Sequence, residues 1–528
     1  GLGDVYKRQH VFNDIHITNF FAGTEINSTD RSKNYYQGWG MQYSMGEIPY
    51  YVYEFFKKGI EDGNNYYSLS QTRSRSAAFF ANATYSYKGR YTVNGTARYE
   101  GTNRMGKSRS ARWLPTWNVS GAWNAHEEKF FSNLTSVLSH FTLKASYSLT
   151  ADRGPADVTN SQAIITSYSP YRPFTSIQES GLYIKELENS ELTYEKKHEL
   201  NIGADMGFLN NRINLAVDWY KRNNYDLIGI VNTQGAGGQI LKYANIASMK
   251  SHGIEFTLST KNIKTKDFNW NTDFIFSNAK NEVTDLKQNA NVMELISGNG
   301  FAKQGYPVRG LFSIPFVGLD KDGIPVIINE KGEATSTDIN FQERQNTGFL
   351  KYEGPTDPTI TGSLGNMFSY KGFRLNLFIT YSFGNVIRLN PVFKAYYSDL
   401  TAMTREFKNR WTLPGDEAKT NVPAILSKRM YDSNEDLKYA YNAYNYSTER
   451  IAKGDFIRLK EISLAYDFPK AWINPLKLTD LSLKVQATNL FLIYADDKLN
   501  GQDPEFFNAG GVASPVPRQF TITLRLGL

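Results

Sequence analysis

Chemistry needs side chains that can move protons, attack or hold ions, so the 6 histidines come first. They are His10, His16, His126, His140, His198 and His252, and none has a partner at metal-ligand or triad spacing. His126-Glu127-Glu128 lacks the second histidine of a zinc-protease helix. Each histidine is therefore expected on a polar face or in a loop. The chain has 0 cysteines, which removes disulfides, thiolate nucleophiles, cysteine-ligated zinc and iron–sulfur clusters together. Gly235-Ala236-Gly237-Gly238 is not followed by Gly-Lys-Ser/Thr and reads as a flexible loop, not a phosphate cradle. Asp320-Lys321-Asp322-Gly323 opens like a calcium loop but lacks the third acidic position and the closing glutamate. It reads as a turn, and Lys331-Gly332 marks another. A glycosidase carboxylate pair is defined by separation in space, which sequence spacing does not supply. No enzyme signature, cofactor motif or metal set emerges.

What the chain has in excess is rings: 34 Tyr, 33 Phe and 8 Trp make up 14% of it. A ring with a polar tip suits contact with a sugar or a peptide, and equally suits packing. Two stretches concentrate them. Residues 151–191 hold Tyr168, Tyr171, Phe174 and Tyr183, and residues 389–450 hold Tyr396, Tyr397, Trp411, Tyr431, Tyr439, Tyr441, Tyr444 and Tyr446. Tyr171, Phe174, Tyr396, Trp411, Tyr441 and Tyr444 are the candidate ligand contacts. The other reading is that these rings pack the loops against each other. The net charge of +7 is spread among both signs with no basic block, so nucleic acid is not an expected partner.

The elements that must carry these loops follow from period. Phe79, Ala81, Ala83, Tyr85 and Tyr87 share one face, with Phe80, Asn82, Thr84 and Ser86 on the other. After Lys88-Gly89 the alternation resumes through Tyr91, Val93, Gly95, Ala97 and Tyr99, which is a β-hairpin signature. The same two-residue period runs over 200–208, 213–219, 373–381, 481–488 and 520–528. In 456–468 the phase slips: Ile457 and Leu459 keep one, Ile462, Leu464, Tyr466 and Phe468 the other. A β-bulge near Lys460-Glu461 restores the facing. The chain offers roughly 14–16 strands, many of ~9–11 residues or more, the length that crosses a tilted bilayer. Short turns at 88–89, 209–211 and 371–372 alternate with long connections at 151–191 and 389–450. That asymmetry describes an antiparallel transmembrane β-barrel, whose apolar outside and polar lumen average to a soluble-looking hydropathy. Mean hydropathy is −0.47, and no apolar run of about 18 residues proposes a membrane helix. A soluble β-sandwich or propeller is the alternative reading of the period alone.

Several segments, taken in order, resemble the SusC/RagA family of TonB-dependent outer-membrane transporters. Arg98-Tyr99-Glu100-Gly101-Thr102-Asn103-Arg104 is similar to the family's hairpin-ending motif, with Glu100 for the usual aspartate and Thr102-Asn103 for its serines. Tyr194-Glu195-Lys196-Lys197 through Asn201-Ile202-Gly203 resembles a family strand, with Tyr194 for tryptophan. Asn245-Ile246-Ala247, Gly253-Ile254-Glu255, Arg410-Trp411 with Pro414-Gly415-Asp416-Glu417, Phe456-Ile457-Arg458-Leu459-Lys460 and Asn489-Leu490-Phe491 continue the series. Gly501-Gln502-Asp503-Pro504-Glu505 and Pro517-Arg518 close it.

The resemblance implies an all-β fold that is part of a barrel of ~22 strands. Residues 10–528 are then expected to be the C-terminal part of that barrel, without the plug domain. Residues 1–9 fit none of the alternating runs and read as a non-native, adapter-derived segment. The implied setting is the outer membrane of a Bacteroidetes-type Gram-negative cell. The implied partners are membrane lipid, a SusD-like surface lipoprotein over the loops, and TonB acting through segments outside this chain. The implied cargo is an oligosaccharide, or alternatively a peptide, with no cofactor and no covalent chemistry. A soluble carbohydrate-binding or adhesive β-protein is the reading from another class.

Overall fold

The computed structural model describes residues 2–12, 15–39, 41–46, 48–49, 52–64, 66–155, 163–168, 179–232, 241–397, 403–507 and 515–527. Within them fifteen strands join one sheet in chain order. They are β1 (Leu2–Phe12), β2 (His16–Tyr36), β3 (Tyr67–Tyr87), β4 (Tyr91–Thr102) and β5 (Trp113–Asn124). Next come β6 (Leu138–Asp152), β7 (Glu195–Phe208), β8 (Ile213–Asn232), β9 (Leu241–Lys264) and β10 (Phe268–Leu286). The last are β11 (Ile360–Tyr370), β12 (Phe373–Phe383), β13 (Phe456–Asp467), β14 (Asp480–Ala495) and β15 (Gln519–Gly527). The strand count agrees with the sequence expectation. Among the described residues no ladder joins β1 to β15, so the sheet is open. No helix is long and apolar enough to cross a membrane.

The short turns are built from residues that accept left-handed backbone. Lys371 and Gly372, at φ 44° and 90°, join Tyr370 to Phe373 in two residues, as a type I′ hairpin turn requires. Lys88 and Gly89 turn at φ 52° and 67°, and Leu209, Asn210 and Asn211 at 52°, 55° and 59°. The expected bulge is present. Phe378 pairs with Glu461 and Ile379 with Leu459, which leaves Lys460 as the extra residue. Leu2–Phe12 pairs residue for residue with β2, from Phe12↔His16 through Leu2↔Ile26. A ladder is made of backbone groups, so a segment without clean alternation can still supply a strand.

The chain divides into two compact units. The first comprises residues 1–121, 146–199 and 224–247; the second comprises 122–145, 200–223 and 248–528. In the first unit β2 and β3 pair from His16↔Tyr87 out to Tyr36↔Tyr67. β1 follows only to Ile26 and β4 only to Ser76. The nine outer pairs, Ser28↔Arg75 through Tyr36↔Tyr67, therefore have no third strand among the described residues. A short helix, α1 (Tyr53–Glu61), lies beyond these pairs. Phe56 stands edge-on to Trp39 at 5.3 Å and to Tyr66 at 5.4 Å.

In the second unit three connections, 287–359, 384–455 and 496–518, carry most of the buried apolar side chains. The first, whose packing the period did not reveal, puts Val292, Leu295 and Ile296 of a capped helical turn against Phe312, Ile314 and Ile327. Its Asp320 carboxylate accepts from the Asp322 and Ile324 amides, so the Asp320–Gly323 stretch is a turn as read. The second buries Phe393, Phe407, Leu426, Tyr441 and Tyr444 together. The third adds Leu499 to Ile387, Leu389 and Ala452.

Candidate functional site

Strand pairing sorts side chains before any ligand does. In the first unit Asn82 donates to Thr96 at 2.7 Å, Asn94 to Thr84 at 2.6 Å and Thr92 to Ser86 at 3.1 Å, each across a directly paired position. This polar face continues into a charged set in which Arg98 donates to Glu25 at 3.0 Å and to Glu100 at 2.6 Å, while Arg153 takes the other Glu100 oxygen. The opposite face carries rings. Trp117, Tyr147, His198 and Tyr225 stand 5.5, 5.8 and 5.7 Å apart in sequence along β5, β6, β7 and β8. In the second unit Phe373, Tyr466, Phe468 and Trp472 cluster at the turn ends of their strands. Rings with polar tips gathered near strand ends are what an interfacial girdle needs.

Two histidines depart from expectation here. His198 belongs to the ring row, and His16 bonds Tyr85 at 2.7 Å on the Tyr85–Tyr87 face. Imidazole is flat and amphipathic, so it substitutes for a tyrosine in such a row. His126 and His140 pack edge to face at 4.3 Å. Among the described residues no group of three or more acidic or histidine side chains is placed to hold a metal.

The family-like motifs turn out to be anchors. Asn103 bonds both ways with the β3 backbone, accepting from the Arg75 amide and donating to the Arg73 carbonyl. The buried Tyr194 hydroxyl donates to the Arg112 carbonyl at 3.1 Å. Asn245 accepts from the Thr193 amide and donates to the Thr193 and Asp226 carbonyls. A Cβ on Gly253 would meet the Tyr220 hydroxyl, so glycine is required for that close approach. In the second unit Arg458, on β13, donates to both Asp503 oxygens at 2.6 and 2.7 Å and lies 3.2 Å from Glu505. Arg388 is buried and bonds the Ser447 and Phe312 carbonyls and the Ser313 hydroxyl. Burial pushes its guanidinium down to about 9, which leaves it charged at neutral pH.

Two cavities flank the 501–507 segment that Arg458 holds. One, of about 740 Å³, is bordered by Asn390, Asn489, Phe491, Gln502 and Phe506. The other, of about 630 Å³, is bordered by Arg309, Thr361, Thr380, Ser382, Phe456 and Lys460. In the sequence Lys460, Asn489 and Gln502 stood out only within motif strings and the phase slip at Lys460, with nothing to show that they border cavities, and Arg309, Thr361, Thr380 and Ser382 were missed.

Of the six candidate aromatic contacts, Tyr441 and Tyr444 lie inside the loop core at 2% and 3% exposure. Burial raises both phenols far above their usual range. Trp411 is half-buried and donates to Glu417 at 2.9 Å. Tyr396 is exposed and stacks on Tyr431 at 6.2 Å. Tyr171 and Phe174, like the Gly235–Gly238 loop, lie outside the described residues.

An open ladder of long antiparallel strands, polar on one face and ringed on the other, with compact loop cores, defines an outer-membrane β-barrel segment. The family described as "TonB dependent receptor-like, beta-barrel" matches residues 2–490, and the chain belongs to it. Within that class it is of the SusC/RagA type and belongs to the cell outer membrane. It is 26% identical to the TonB-dependent receptor SusC of Bacteroides thetaiotaomicron over 515 residues, covering 90% of this chain and 47% of that protein. It is 26% identical to TonB-dependent receptor P39 of Formosa agariphila over 584 residues, covering 99% of this chain and 52% of that one. The chain thus spans about half the length of these relatives. In fold it is similar to the RagAB peptide importer in its open-open state, with a TM-score of 0.76 at 21% identity, over 100% of this chain and 54% of that one.

Proposed function

We propose that the intact protein imports oligosaccharides released by glycan breakdown across the outer membrane. A SusD-like surface lipoprotein caps the loops, and TonB drives transport through segments outside this chain. The polar, hydrogen-bonded face of β3 and β4 carries the reading, because a lumen must offer hydroxyl and amide groups to a hydrated cargo. The resemblance to the SusC/RagA family supports it, and the likeness to the TonB-dependent receptor SusC supports the TonB-dependent part of the reading. Tyr396 and Trp411 are proposed as ring contacts at the loop surface, and Tyr171 and Phe174 as further ones. The protein holds no cofactor and makes no covalent bond to its cargo. Peptides are the second reading, because the solved neighbours are described as peptide importers; at 21% identity that likeness reaches the fold only.

A strain lacking the intact gene is expected to lose uptake of fluorescently labelled oligosaccharides while retaining labelled peptides. Retained oligosaccharide uptake with lost peptide uptake transfers the assignment to peptides. Unchanged uptake of both overturns import.

A further inference from the structure

We infer that the cavity of about 630 Å³ beside β13 is an acid-recognising subsite, in which Lys460 holds a carboxylate or sulfate of an acidic oligosaccharide. The inference rests on the import reading and narrows its cargo. A β-bulge re-aims the side chain it inserts, and Lys460 is the inserted residue. Without it, a strand of strict period two could not present a cation at that point while keeping Leu459 and Ile462 on their common face.

The neighbouring charges are already committed. Arg458 takes Asp503 and Glu505, and Arg309 takes Asp357 at 2.6 Å and the Asn299 carbonyl at 3.0 Å. Lys460 is half-buried and has no ion-pair partner among the described residues. An ammonium without an ion-pair partner is free to donate a charge-assisted hydrogen bond to an incoming anion. Glu505 also borders the cavity, but its oxygen is turned to Arg458 at 3.2 Å.

The rest of the wall selects the class of anion. Thr361, Thr380 and Ser382 offer hydroxyls that both donate and accept, which suits sugar hydroxyls. Phe456 adds a ring face. The wall at Gly454 is tight: a Cβ there would run into the Asn385 amide. The volume falls in the range of small-molecule sites, roughly 300–1,000 Å³.

The test uses the full-length receptor purified in detergent with its surface lipoprotein. Binding of oligogalacturonate, the neutral maltotetraose and a tetraglutamate peptide is measured by calorimetry at about 50 and about 300 mM salt. Oligogalacturonate is expected to bind at least about tenfold tighter than maltotetraose, and to weaken as salt rises. Lys460→Met is expected to remove that margin and its salt dependence, and Lys460→Arg to keep most of it. Thr380→Val, which leaves the bulge intact, is expected to weaken the saccharide alone. A margin that survives Lys460→Met in receptor that still migrates as a folded barrel overturns the subsite. So does equal binding of acidic and neutral saccharides, a result that leaves oligosaccharide import standing. Tetraglutamate binding alone, or no binding of any probe, also overturns it, whereas the uptake assay above judges import independently.

Discussion

Arg458 is the residue on which the last long connection depends. It is 7% exposed, its partner Asp503 is 10% exposed, and 45 residues separate them. Removing one member of a buried pair strands the other, a cost of about 3–5 kcal/mol. Arg458→Ala is therefore expected to lower the thermal midpoint of the purified receptor and to open 496–518 to protease. Asp416 gives a pH-dependent counterpart. The Leu413 amide and the Thr412 hydroxyl and amide all donate to its carboxylate, which holds it down to about 2. The unfolded value is the ordinary one, about 3.9. A folded value lower than the unfolded one stabilises the turn above that ordinary value, and the contribution fades as pH falls from about 4 to about 2. Pepsin cleavage within 411–420 is expected to rise across that window, and Asp416→Asn to cut quickly already at its upper end. These residues stood out in sequence as motif strings, but not their work as anchors. Each partner is 45 to 82 residues away for Arg458 and Tyr194, a distance no local pattern spans.

At the scale of elements, period two made the long strands legible because each has one apolar face and one polar face. The bulge was legible for the same reason, since an extra residue shows as a change of phase. Deleting Lys460 removes the bulge and leaves Ile457, Leu459, Ile462 and Leu464 in strict alternation, so the heat-modifiable folded band is expected to survive on gels. Lys460→Met keeps the residue count and should keep the band. The 287–359 connection was not legible. Its strands run 2 to 5 residues and its helical turn 5, too short for any period to declare itself. Long-range burial holds it instead. The connection after β4 behaves similarly: Gly106 donates to the Leu192 carbonyl, and a Cβ on it would strike the Ser190 carbonyl. Gly106→Val is expected to cost about 1–3 kcal/mol through overpacking, read as a lower thermal midpoint.

At the scale of the molecule, β2 and β3 run past the end of β4, and the nine pairs Ser28↔Arg75 through Tyr36↔Tyr67 reach about 31 Å at the usual rise per residue. The 37–66 connection hangs from the tip of that extension, where exposed backbone is most open to protease. Limited proteolysis of intact cells is expected to cut first within 37–66 and to leave the heat-modifiable barrel intact. Cleavage that instead begins in the short turns would contradict that ranking. The strand at Leu2–Phe12 was hidden from pattern reading because Lys7, Arg8, Gln9 and His10 run consecutively and break its alternation. The bulge, finally, bears on how such receptors can be recombined. Facing along a strand is counted in twos, so Lys460 acts as a parity bit between the 384–455 loop and the rest of β13. A chimera that replaces only the residues between Ser382 and Phe456 leaves Lys460, and so the recipient's parity, in place. A junction placed inside β13 must instead carry or drop that one residue knowingly, because a miscount of one turns every side chain beyond it to the other face.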